Sequence, residues 1–286
     1  PRREAEAVQE ARSGRTCLTD GWTQGRCQGK RRWGWKKPKM GYRVAERSGS
    51  GIGFGEKTTD LVAVVPIIES RLDAVGQRWR EAAKAGADMI EWRLDFLDPT
   101  QRDAGEIHKL AQRLRADFSL PVLATWRTEA EGGRFPLDSG GEAYADAVRS
   151  VLDWADLVDV EFCREEAKAL IAQAAETTAV VASFHDFAGS VEQIELREYL
   201  LQMDATGASV IKVAVNVTSE EDLERLLDLQ DWAHSLSKPS VVIGMGSRGK
   251  QTRLGDRARR SAFAFAIVDA DVAEGAGQGR SLASAP

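Results

Sequence analysis

Residues 207–236 read GASVIKVAVNVTSEEDLERLLDLQDWAHSL. The first third is a β-branched apolar run interrupted by Lys212, the pattern of a strand buried on both faces. The rest opens with Thr218 or Ser219 as an N-cap and carries acids in its first turn, as a helix start should. Together they make one strand–helix unit, and the unit recurs. Apolar runs occupy residues 61–68, 89–95, 121–127, 157–162, 179–187, 208–217, 240–246 and 261–269, with helix-like segments such as SRLDAVGQRWREAAKAG (70–86) between them. Alternation of this kind implies parallel strands joined by right-handed crossovers. Eight units in about 230 residues suit a closed (β/α)8 TIM barrel of the α/β class, expected over residues 59–286. An open doubly wound sheet is the alternative, but no GxGxxG turn follows the first strand. The segment GMGSRG (244–249) has the spacing of neither standard phosphate-binding fingerprint.

Bulk properties narrow the function. The chain has 286 residues, 43% hydrophobic and 29% charged, with a formal net charge of −5. That balance is ordinary for a globular protein and argues against a general nucleic-acid binder. It hides an asymmetry, because residues 1–50 carry 13 Lys/Arg against 5 Asp/Glu. The run GKRRWGWKKPK (29–39) mixes basic and aromatic residues, a composition that suits an anionic surface. Its low apolar content equally suits a disordered tail, and residues 1–58 are expected to be a disordered basic extension. Met40 would make a plausible natural start. Three scattered cysteines fit neither a disulfide scaffold nor a zinc site. No run approaches the roughly 20 apolar residues that span a bilayer, and the N-terminus lacks the apolar core of a signal peptide. A cytoplasmic protein is the expectation.

Lys212 raises the chemical question. An ammonium out of water is costly unless it is paired or gives up its proton, so this lysine either snorkels to a strand end or has a depressed pKa. Barrel chemistry sits at the C-terminal ends of the strands, and those ends carry an unusual set. Glu91, Arg93 and Asp95 alternate within MIEWRLD, so one side of an extended strand would present all three. Arg127 ends the third run and Glu131 follows it. Ser183, His185 and Phe187 share one side of SFHDF. Met245 ends the seventh run, and Arg253 lies beyond it. Singly these are surface ion pairs or satisfied core residues. Jointly, charged residues in apolar strands are rare unless they serve one another or a ligand. A desolvated lysine near other cations is an amine nucleophile suited to ketones and aldehydes. His185 suits a proton shuttle, Glu131 could orient it, and three arginines suit an anionic substrate. No cluster has metal-ligand spacing, so iminium chemistry on a small keto acid without a cofactor is the reading from the residues alone.

These motifs resemble the type I 3-dehydroquinate dehydratases. The resemblance runs through EWRLD (91–95), TWRTEAEGG (125–133), SFHDF (183–187), IKVAV (211–215), GMGSRGKQTR (244–253) and GQ (277–278). It implies that Lys212 forms an imine with the ketone of 3-dehydroquinate, that His185 moves the protons, and that Glu131 pairs with His185. It further implies that Glu91, Arg93 and Arg127 line the hydroxyl and ketone side and that Arg253 clamps the carboxylate. Met245 and Phe265 would pack on the ring, and Gln278 would sit on a closing loop. The product implied is 3-dehydroshikimate, in biosynthesis or in quinate breakdown. No cofactor or metal is implied beyond the covalent imine, and a homodimer is a further implication. The loop EGAGQ (274–278) departs from the family pattern, setting Glu274 where a second acid would repel the substrate carboxylate. Two alternatives stay open: another Schiff-base lyase such as a class I aldolase, and a non-catalytic binder of the same ligand.

Overall fold

The computed structural model describes residues 41–44, 54–58, 62–136, 140–189 and 191–266. Each apolar run within them forms a strand: β1 (Ala63–Ile67), β2 (Met89–Arg93), β3 (Val122–Thr125), β4 (Leu157–Glu161), β5 (Ala179–Asp186), β6 (Val210–Asn216), β7 (Ser240–Met245) and β8 (Ala264–Phe265). The strands lie in the order β8-β1-β2-β3-β4-β5-β6-β7, and neighbouring pairs are parallel. The N–H of Ala262 donates to the carbonyl of Ser240 at 2.8 Å, which brings the start of β8 back beside β7. The result is a (β/α)8 barrel, as the alternation predicts. The expectation for residues 1–58 lies outside the described residues, apart from an antiparallel ribbon of Gly41–Val44 with Phe54–Thr58.

Helices α1 (Leu72–Ala85), α2 (Ala104–Asp117), α3 (Gly140–Arg149), α4 (Ala167–Ala174), α5 (Gln193–Asp204) and α6 (Glu220–Ala233) fill the crossovers. Ser219 is the N-cap of α6: it accepts from the Asp222 N–H at 3.1 Å, and Asp222 accepts from the Ser219 N–H at 2.9 Å. That reciprocal pair satisfies two backbone donors that a helix start leaves open. The crossover after β7 departs from the pattern, being a 3-10 stretch (Arg248–Arg253) followed by the four-residue α7 (Gly255–Ala258). Here the glycines of GMGSRG serve backbone contact. A Cβ on Gly249 would lie 2.2 Å from the carbonyl carbon of Gly244, so the chain folds back on itself only where neither residue has a side chain.

Alternation along the strands sorts side chains into two cores. Outward residues such as Ile90, Trp92, Val160, Ile211 and Val213 pack under the helices, where Trp92 meets Trp79 edge-on at 6.2 Å between centroids and Trp154 at 5.6 Å. Inward residues at the strand starts (Val64, Met89, Leu123, Leu157, Val181, Val210, Val241) form a separate apolar cluster that plugs the barrel floor. One pleat further along, four of the inward positions are polar, Glu91, Asp159, Ser183 and Lys212, while Ile243 stays apolar. A period of two fixes that change, because residues i and i+2 share a face.

Candidate active site

Lys212 stands directly above the apolar plug and is 3% exposed. Strand alternation aims it into the barrel, and the register pairs it with Ser183 on β5 and Val241 on β7. It does not snorkel. Its Nζ lies 3.8 Å from Asp159 Oδ2 and 4.9 Å from the centroid of the Phe265 ring. Burial pushes the ammonium below its usual range. Asp159 and Glu91 pull the other way, while Arg127 and Arg93 add to the depression.

His185 sits two residues above Ser183 on the same face of β5, and its Nδ1 contacts Glu131 Oε2 at 2.8 Å. Burial, then the positive charges of Arg127, Lys212 and Arg93, hold its pKa well below the ordinary imidazole value, so the ring is neutral at physiological pH. With Nδ1 against the carboxylate, Nε2 is the nitrogen left for a substrate. Burial raises the Glu131 carboxyl, with Arg127 opposing. Glu131 ends a short 3-10 turn (Glu129–Glu131) that closes on Gly132 at φ 77°. A side chain there would be strained, and its Cβ would lie 2.2 Å from the Phe187 ring, so glycine is what lets the turn press against the site.

Arg127 is the hub beneath this pair. It donates to Glu131 (2.9 Å), Glu161 (3.2 Å), Asp159 (2.7 Å) and Ser183 Oγ (3.1 Å), all buried. Glu161 also takes the Thr128 N–H and hydroxyl, both at 2.7 Å, which ties the loop after β3 to β4. Arg127 lines the pocket, but its donors are committed to three carboxylates. Glu91 accepts from Thr125 Oγ1 at 3.0 Å. Arg93 makes a two-pronged pair with Asp95 at 2.8 and 2.9 Å. The strand reading of MIEWRLD stops at Arg93, because Leu94–Phe96 turns as a 3-10 helix and folds Asp95 back beneath the guanidinium. Arg253 donates to the carbonyl of Gly244.

Thus Glu91, Arg93, Arg127, Glu131, His185, Lys212, Met245, Arg253 and Phe265 line one pocket, together with Gly132, Phe187, Ala214 and Ile243. Gln278 and Glu274 lie outside the described residues. Asp159 and Glu161 are functional residues beyond those expected from the sequence, although LVDVEF (157–162) carries the same signal as β2: acids at alternate positions of an apolar strand. Chemically the pocket offers a desolvated amine, an imidazole held by a carboxylate, and two arginines, Arg93 and Arg253, in its lining.

Residues 63–285 match the family model described as Type I 3-dehydroquinase. The 3-dehydroquinate dehydratase of Klebsiella pneumoniae is 33% identical over 218 residues, covering 73% of this chain and 85% of that protein. The Methanosarcina acetivorans protein of the same name is 32% identical over 230 residues, covering 78% and 90%. Among solved structures, the 3-dehydroquinate dehydratase of Geobacillus kaustophilus superposes with a TM-score of 0.68 at 27% identity, covering 78% of this chain and 94% of that one. The type I enzyme of Clostridium difficile, solved with covalently modified comenic acid, gives 0.66 at 25% identity, covering 72% and 84%.

Proposed function

Because the chain belongs to the type I 3-dehydroquinase family, we propose that Lys212 is the amine through which it dehydrates 3-dehydroquinate to 3-dehydroshikimate. Family membership does not favour the aldolase and non-catalytic alternatives. One observation carries the assignment of the amine: Lys212 is buried above an apolar floor and lines the same pocket as His185 of the neighbouring strand. Burial shifts it towards the neutral form, and a neutral amine is what attacks a ketone.

The steps follow from the groups present. The neutral amine adds to the C3 ketone and, with one proton taken up from solvent, water leaves to give a protonated imine. The iminium draws electrons from C2, and His185 takes the C2 proton to leave an enamine. Electrons returning from nitrogen expel the C1 hydroxyl, which takes the proton back from His185 and departs as water. A second water then hydrolyses the product imine and frees Lys212. Glu131 orients His185 throughout. Arg93 and Glu91 face the hydroxyls, and Arg253 receives the carboxylate by charge-assisted pairing. Arg127 acts chiefly by locking Glu131 and Asp159. Met245 and Phe265 provide apolar contact for the ring. Since the iminium is itself the electron sink, the reaction needs no metal or organic cofactor. The working unit we infer is a cytoplasmic homodimer, to be checked by light scattering and cell fractionation.

Borohydride reduction in the presence of 3-dehydroquinate tests the core of the reading. Permanent inactivation and added ligand mass on the peptide bearing Lys212 are expected. A Lys212→Ala protein with full dehydratase activity would overturn it.

A further inference from the structure

Asp159 is an inward residue of β4, 1% exposed, and none of the steps above uses it. Its two oxygens are unequal. Oδ1 receives Arg127 Nη2 at 2.7 Å and Ser183 Oγ at 2.6 Å. Oδ2 is buried, makes no hydrogen bond among the described residues, and faces Lys212 Nζ at 3.8 Å. A buried carboxylate oxygen left without a donor costs stability, so its aim at the nucleophile calls for an explanation. We infer that Asp159 is a positioning residue: it holds the Lys212 nitrogen in place and acts as the fixed counter-charge to that nitrogen from ammonium to iminium. The inference rests on Lys212 being the imine-forming amine.

The charge balance shows why such a partner helps. Ammonium plus ketone gives iminium plus water, and one positive charge stays on nitrogen on both sides. Loss of the C2 proton to His185 makes the nitrogen neutral, and expulsion of the hydroxyl as water restores its charge. An anion fixed beside the nitrogen therefore stabilises both cationic states without having to move. It also opposes the depression of the lysine, together with Glu91 on β2. Arg93 on β2, Arg127 after β3, Arg253 after β7 and the His185–Glu131 pair are the other charged and titratable groups lining the pocket around the amine.

The test is the rate of borohydride-trapped imine at Lys212 against pH, read by peptide mass spectrometry for the unmodified protein, D159N and E161Q. Loss of the anion disfavours the ammonium, so the acid limb of D159N moves to lower pH. The expected shift is about one unit, the low end of the effect of an opposite charge at this range, because Arg127 shares the carboxylate. Trapped imine at the plateau also falls. Glu161 binds the same arginine without facing Lys212, so E161Q leaves the limb in place. A D159N limb that does not move, or an equal move in E161Q, overturns the inference. Absence of trapping in the unmodified protein would instead overturn the assignment of Lys212. Should D159N not fold, K212M decides. Without its cation Asp159 faces a thioether, so the melting temperature falls; a rise, as expected when a buried ammonium with no anion beside it is replaced, overturns the inference.

Discussion

At the scale of single residues, the site works by removing charge that water would otherwise stabilise. Lys212 and His185 both act unprotonated, and burial lowers both values. A lysine at its ordinary 10.5 would be almost wholly protonated at pH 7, costing roughly 3000-fold in free amine. Depression of the pKa moves the acid limb of kcat/KM down by the same amount. A profile that instead rises tenfold per unit from pH 7 to 10 would show an unshifted lysine. His185→Ala should lower kcat by roughly 10²–10⁴, the usual worth of a positioned acid–base group, while imine trapping at Lys212 persists. Glu131→Gln should cost less than His185→Ala, because Glu131 touches the imidazole and not the substrate. Retained kcat in His185→Ala would assign the proton transfers elsewhere.

At the scale of elements, alternation within strands delivers chemistry to the mouth, and helix ends hold the strands' loops. Lys212, His185 and Glu91 were legible because a charged side chain in an apolar strand advertises its face. Asp159 carried the same mark in LVDVEF and was overlooked, since its partners lie on β5, on β6 and in the loop after β3, far apart in sequence. Asp95 was misplaced for the opposite reason: its ion pair with Arg93 closes only because the strand ends. The capping box of α6 makes a separate prediction. Ser219→Ala should destabilise the protein by about 1 kcal/mol, seen as a lower melting temperature with unchanged KM. Donors from Thr218 and Ser219 hold Asp222 down from 3.8 to about 2. The unfolded chain binds that proton first, so the cap's contribution is present above 3.8 and lost as pH falls towards 2. Thr218→Val, which removes the largest of those donors, should flatten the melting temperature's pH dependence in that window more than Ser219→Ala does; an unchanged slope in Thr218→Val would remove Asp222 from the account.

At the scale of the whole molecule, the barrel makes one site from pieces contributed by nearly every strand. The family match begins at residue 63, beyond the basic segment. Removing residues 1–39 should therefore leave kcat/KM within about twofold and the melting temperature unchanged; a larger loss would give the basic segment a part in the barrel's work. By itself the sequence determined the α/β alternation, the parallel order that follows from it, and which faces carry charge, because periodicity is a local property written every two or four residues. Which charges meet was decided only by tertiary structure. Closure of the barrel sets β4 and β6 across from the loop after β3, so that one carboxylate of Asp159 meets both Arg127 and Lys212. Such pairing depends on distances through space between residues 32 and 53 positions apart, and no local pattern encodes them.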